Sequence, residues 1–363
     1  MIMSEQKNGT KGRVKSKDAG RSAGLDIVRS AAVFFVVSVH FFYNNGYYSQ
    51  ELEGVNMFLM TAMRWLFYSC VPLFLILSGF LMNRKKPDKA YYMKIFRILG
   101  EYLMACILCN LFKTVCQDKE LDFAGWIYSI LDFSAAPYSW YVSMYTGLFL
   151  LIPFLNKAYG GPEVPKKHKQ ILLLSMLFIT ALPGIINYEH SYLPAWWPRL
   201  YPFTYYFIGC YLAEFRLKPA KWKCALGIAA ISFGQAAVSF MTVTDKNKFN
   251  WNFPAGYGAL PTVGIAVLVF LMLYRIEIHN WLVKKIFFIV SACSLSIYLL
   301  SWIADQIIYK QFNQKVTFIP DKLGWYFVIV PLVFASTLIP AYLCHKLVNI
   351  PGIALKQSHK QQR

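Results

Sequence analysis

Acidic charge is scarce in this chain. Asp and Glu number 18 among 363 residues against 37 Lys and Arg, and charged residues together make up only 15%. A soluble protein carries closer to 25% charge, so a water-facing globular domain is excluded as the main architecture. Long polar connections are also missing, which leaves no room for an appended soluble domain. The eight cysteines show no repeated metal-ligand spacing. Cys70, Cys106, Cys109, Cys210 and Cys293 fall inside apolar runs, and the Cys106–Cys109 pair has no second pair and no histidine beside it. Apolar packing is expected of them, and no metal.

Hydrophobic residues make up 57% of the chain, and its mean hydropathy is +0.40. Apolar runs of roughly 18–25 residues, long enough to cross a bilayer as helix, recur from end to end. They predict an all-α, polytopic membrane protein with ten transmembrane helices, at 25–44, 56–82, 92–113, 138–156, 170–187, 200–215, 222–243, 257–274, 286–309 and 325–347. The segment at 200–215 is short for a span. The organisation expected is a basic tail (1–24), a membrane domain (25–347) and a second basic tail (348–363). The first span exceeds a signal-peptide core and lacks small-residue cleavage chemistry after it, so it is expected to stay as a helix.

Orientation follows from the basic residues. The N-terminal stretch, the even-numbered loops and the C-terminal stretch hold 27 Lys and Arg, and the opposite loops hold eight, Lys119 and Lys246 among them. Both termini are therefore expected in the cytoplasm. The same distribution accounts for the net charge of +19 by attraction to anionic headgroups, and no nucleic-acid partner is needed.

Against that background the ionisable residues inside spans stand out, because each costs about 2.5–3.5 kcal/mol to place at the bilayer centre. They are Arg29, His40, Arg64, Arg97, Glu101 and Asp305. In "RSAAVFFVVSVHF" eleven residues separate Arg29 from His40. That is about 20° beyond three full turns, so both lie on one helix face roughly 16 Å apart. Ser30, Val33 and Val37 keep this face small. A slender ligand could lie along it, its charged head at Arg29 and its reactive end at the imidazole. An arginine at a helix start often snorkels to headgroups, and an intramembrane histidine often serves packing. Both on one face of an otherwise apolar span favour function, since a neutral imidazole is what a general base requires.

Arg97 and Glu101, spaced i, i+4 in "KIFRILGEYL", form either a self-satisfied ion pair or part of an anion site, with Lys94 one turn earlier. Ser294, Tyr298, Ser301 and Asp305 make one polar stripe. Arg64 and Asp305 both sit toward the outer half, where a structural pairing between them is open. "VPLFLILSGFLM" carries Pro72 and the Ser78–Gly79 step, which permit a kink and close helix approach. Trp140 and Tyr141 open the run at 138–156.

These segments, in this order, resemble the membrane acyltransferase-3 family. "GLDIVRSAAVFFVVSVHF" looks like its opening Leu-Asp-x-x-Arg helix with arginine and histidine eleven apart. "VPLFLILSGFL", "YMKIFRIL", "SWYVSMYTGLFLLIPFLN", "YPFTYYFIGCYLAEF" and "SLSIYLLSW" resemble its later helices, so the likeness runs from about residue 24 to 347. The resemblance implies an enzyme moving an acyl group, most often acetyl, from acyl-CoA to a hydroxyl of a carbohydrate or cell-surface glycan in the cell membrane. It makes Arg29 and His40 the catalytic pair, Lys94 and Arg97 (with Arg29) the donor-binding residues, and Trp140 a pocket residue. Tyr141, Ser78, Tyr298, Ser301 and Asp305 complete the candidate substrate-binding set. Ser301 stands where many members carry a histidine, and Asp305, one turn on, is the candidate to serve instead. General-base catalysis by His40 and transient acylation of its imidazole both remain open. The competing class is a transporter or flippase, against which the sequence sets the lack of an inverted repeat.

Overall fold

A computed structural model describes residues 22–118, 122–187, 190–243, 246–251 and 256–361, with side chains described through residue 349. The N-terminal basic residues from Lys7 to Arg21, together with Lys119 and Arg363, lie outside the described residues. Among the described residues there is no strand, only a lone antiparallel bridge between Glu51 and Lys248. The helices are α1 (Ala23–Asn44), α2 (Gly54–Phe67), α3 (Cys70–Met82), α4 (Lys89–Tyr92), α5 (Ile95–Cys116), α6 (Phe123–Leu131) and α7 (Trp140–Tyr159). They continue with α8 (Lys166–Ile186), α9 (Tyr201–Phe215), α10 (Lys221–Met241), α11 (Leu260–Leu273), α12 (Trp281–Ala292), α13 (Ser294–Lys315) and α14 (Lys322–Gln361).

Each of the ten apolar stretches is helical. Six spans are long and apolar enough to cross a membrane: α1, α2 with α3, α4 with α5, α8, α10, and α14 with the turn before it. The α12–α13 pair is bent by 74° and makes a seventh if read as one span. α9 and α11 are short, with 15 and 14 residues.

Two expected single helices are broken, for local reasons. Proline has no N–H to continue the ladder, and Pro72 would have needed to donate to the carbonyl of Tyr68. The chain parts there, at Tyr68–Ser69, and the Ser69 hydroxyl donates to the Leu66 carbonyl at 2.7 Å. The second break, at Cys293, is fixed by ties to α1. Asp26 accepts from the Ser291 hydroxyl at 2.7 Å, Arg29 donates to the same hydroxyl at 3.4 Å, and Ser30 donates to the Phe287 carbonyl. The end of α12 is thus bound to the start of α1, and α13 leaves at a new angle.

α1 is central, packed against α2, α3, α11, α12, α13 and α14. Val28, Ala32, Val33, Val37, Phe41 and Phe42 are fully buried. Its C-terminus is closed by donors: Asn313 donates to the Asn44 carbonyl at 2.8 Å, and the Lys322 ammonium to the Asn45 carbonyl at 3.3 Å. A cation there also suits the helix dipole.

α3 and α9 touch through glycines. A Cβ built on Gly79 would overlap the Tyr206 carbonyl, and one on Gly209 the Ile76 carbonyl. Gly79→Val is therefore expected to cost about 1–3 kcal/mol by forcing the helices apart. Thermal unfolding of detergent-solubilised protein should show this as a lowered midpoint, whereas Gly147→Ala, inside α7 with open space around it, should not lower the midpoint and is expected to raise it slightly.

Candidate functional site

Two chambers lie along the face of α1 that bears Arg29 and His40. The first, of about 850 Å³, is basic. It is lined by Arg29, by Lys94 and Arg97 at the start of α5, by Ser78 from α3, by Tyr141 and Tyr145 from α7, and by Ser294 from α13. The second, of about 490 Å³, is aromatic: His40 is flanked there by Tyr48, Tyr68, Tyr138, Trp140, Trp251, Tyr257 and Trp302. Tyr298 walls both. The face expected to hold one continuous ligand therefore borders two cavities, with Tyr298 in the wall of each.

His40 sits between an aromatic ring and a carboxylate. The Tyr138 ring lies against the imidazole, tilted by 31°, with centroids 3.7 Å apart. His40 Nδ1 lies 3.8 Å from Asp305 Oδ2, beyond a closed hydrogen bond, as catalytic contacts often are without substrate. Asp305 is 1% exposed. Its Oδ2 accepts from the Tyr138 hydroxyl at 2.7 Å, and Asn44 links that hydroxyl to the His40 carbonyl at 3.3 and 3.0 Å. Nδ1 is thus the ring nitrogen beside the carboxylate, and the imidazole borders the aromatic chamber.

Asp305 does not pair with Arg64. The Arg64 guanidinium is fully buried among the rings of Tyr48, Trp65, Tyr68, Phe249 and Trp251, at 4.1–5.9 Å from their centroids. Tyr48 is its one hydrogen-bond partner among the described residues, taking its Nε proton at 3.3 Å, and both terminal nitrogens lack acceptors. Arginine cannot shed its charge to escape burial, so ring faces carry the compensation. This cage is continuous with the aromatic chamber through Tyr48, Tyr68 and Trp251.

Arg97 and Glu101 are close, at 3.6 Å, yet the pair is not self-contained. Glu101 has shorter contacts to Ser296 of α13, at 2.8 Å, and to His345 of α14, at 2.9 Å. Arg97 reaches His345 Nε2 at 3.4 Å and is still half exposed toward the basic chamber. Glu101 thus holds three helices together while Arg97 keeps donors free for an anion.

The expected residues divide between the chambers. Arg29, Lys94, Arg97, Ser78 and Tyr141 meet at the basic one, and His40 and Trp140 at the aromatic one, with Asp305 behind His40. Ser301 is not brought to either. Fully buried, it donates back to the Tyr298 carbonyl at 2.9 Å, a local bond that ends its use to a ligand. His345, Tyr138 and Asn44 escaped the sequence reading. His345 was findable, since it is an ionisable group inside an apolar run like the others. Tyr138 and Asn44 were not, as interfacial Tyr and Asn are common.

A helical membrane protein with a histidine at an aromatic chamber, a buried carboxylate behind it and a cationic chamber nearby is the class the geometry defines. A family model described as "Acyltransferase domain", that of acyltransferase-3, matches residues 22–346, and the chain belongs to this family. No curated protein and no solved structure matches it.

The oriented pair makes Asp305→Asn the informative change. It keeps shape and still accepts from Tyr138, yet cannot stabilise imidazolium. Acyl-transfer kcat is expected to fall by about 100-fold or more, measured by label transfer in membranes, with the amount of folded protein unchanged.

Proposed function

We propose that this protein moves an acyl group, acetyl being the one expected, from cytoplasmic acyl-CoA to a hydroxyl of a cell-surface glycan or its precursor, across the cell membrane. The orientation that goes with this reading has ten spans and both termini in the cytoplasm, which puts the basic chamber at the inner face. The observation that carries the reading is the partition of residues: Arg29, Lys94 and Arg97 share one chamber, and His40, with its carboxylate behind it, lines the other.

The phosphates of the donor suit the cations of the basic chamber. Arg97 and Lys94 offer charge-assisted hydrogen bonds at its mouth, and Arg29 lies deeper, tied to Ser291. The pantetheine arm is narrow and uncharged, which matches a path between Ser78, Tyr141 and Tyr145 toward His40. On the other side, aromatic walls with a few polar groups suit a sugar ring, whose C–H faces pack on Trp and Tyr while its hydroxyls find hydrogen bonds. His40 takes the proton of the acceptor hydroxyl, Asp305 stabilises the imidazolium, and oxygen attacks the thioester carbonyl. The C–S bond then breaks, and the proton passes to the thiolate. The two-step route through an acyl-imidazole uses the same residues.

His40→Ala is expected to abolish acylation of the glycan, a loss of about 10²–10⁴ in transfer rate, with unaltered protein level. Mass spectrometry of the surface glycan from wild-type and mutant strains checks it, and unchanged acyl content would remove the reading. Arg97→Ala is expected to raise KM for acetyl-CoA about tenfold, the equivalent of one charge-assisted hydrogen bond, with kcat little changed. A saturation curve measured on membranes decides this. Transport of a glycan by the His40 variant with no acylation by either protein would favour a flippase instead.

A further inference from the structure

Among the described residues Tyr298 alone walls both chambers. It sits in the first turns of α13, just beyond the 74° bend, and is 4% exposed. Its ring lies 6.4 Å from the His40 ring, inclined to it by 28°, and 5.8 Å from Tyr141, edge to face. It therefore stands between the imidazole of one chamber and the tyrosine wall of the other. Its hydroxyl is buried with no hydrogen-bond partner. Tyr138, the other phenol beside His40, already donates to Asp305. Tyr309 also has an unpartnered buried hydroxyl, yet it lines neither chamber.

Buried hydroxyls are normally paired, and an orphan at a functional site calls for an explanation. The acyl-transfer reading, on which this inference rests, provides one. A thioester that enters from the basic chamber meets a hydroxyl held near His40 only where the chambers join, and the Tyr298 side chain occupies that junction. When the acceptor oxygen adds to the carbonyl carbon, negative charge collects on the carbonyl oxygen. A neutral O–H fixed in a water-poor wall is well suited to receive it.

We propose that Tyr298 supplies the hydrogen bond that holds the acyl carbonyl oxygen during transfer, at the meeting point of the two chambers. The acceptor O–H proton goes to His40, the acceptor oxygen bonds to the acyl carbon, and the C–S bond breaks. The thiolate takes the proton back from His40, and the Tyr298 proton stays on its own oxygen throughout. The ring, held in place beside the acyl group, also occupies space that water would need there, so the same residue limits hydrolysis of the thioester.

The test uses membrane vesicles carrying the full chain as wild type, Y298F or Y298A, in a background lacking the native gene. Radiolabelled acetyl-CoA is the probe, and alkali-labile label in glycan and released thiol are read together. Y298F keeps the ring and loses only the hydroxyl. Its maximal transfer rate is expected to fall about 100-fold, with KM for acetyl-CoA within about twofold of wild type and thiol release no higher than transfer. Y298A is expected to lose transfer and to release thiol without acceptor. Y298F working at the wild-type rate would overturn the proposal, as would a loss confined to KM, or Y298A transferring faster than Y298F. A wild type that transfers nothing takes down the acyltransferase reading with it, whereas a fully active Y298F takes down only the role of Tyr298.

Discussion

Polar groups inside an apolar bundle have to be answered from within the bundle, because lipid offers no hydrogen bond to replace water. The architecture around α1 is arranged by that requirement. At its start Asp26, Arg29 and Ser30 are met by Ser291 and the Phe287 carbonyl of α12. At its end the free carbonyls of Asn44 and Asn45 are met by Asn313 and Lys322. Between these ties the helix has no freedom to rotate, and the face bearing Arg29 and His40 is aimed by them. The bend between α12 and α13 is a consequence of the same ties, and it brings Tyr298 and Asp305 to the imidazole.

The three buried charges near the site illustrate three different answers. Asp305 is held by a phenol and faces an imidazole, which leaves one of its oxygens unpaired. Glu101 is saturated by a serine and a histidine from two other helices, a structural use. Arg64 has ring faces instead of an anion. The first leaves a carboxylate oxygen open beside an imidazole, and the second ties three helices. The third stiffens the wall of the aromatic chamber.

Much of this was legible in the chain. Low charge and recurrent apolar runs gave the all-helical membrane class, and every apolar stretch is helical, two of them as a broken pair. The penalty on intramembrane charge pointed to Arg29, His40, Arg97 and Asp305. The spacing of eleven placed Arg29 and His40 on one face, with each now lining a chamber. The glycine step at Ser78–Gly79 marked a close helix contact, and Gly79 meets Gly209 there. Where the reading fell short, the cause was a long-range partner. Arg64 and Asp305 share a depth yet are separated by what surrounds them, and Arg97 and Glu101 share a helix face yet are drawn toward α13 and α14.

The sequence by itself determined the class, the helical stretches and the identity of the costly polar residues, because hydropathy and helical period are local properties. Only the tertiary structure decided that Asp305 backs His40, that Ser301 is spent on its own helix, and that Tyr298 walls both chambers. Those facts depend on two helix breaks and on contacts between residues more than 250 positions apart, such as Ser38 with Tyr326 at 2.9 Å and Ser291 with Asp26. No local pattern encodes a partner that arrives from the far end of the chain.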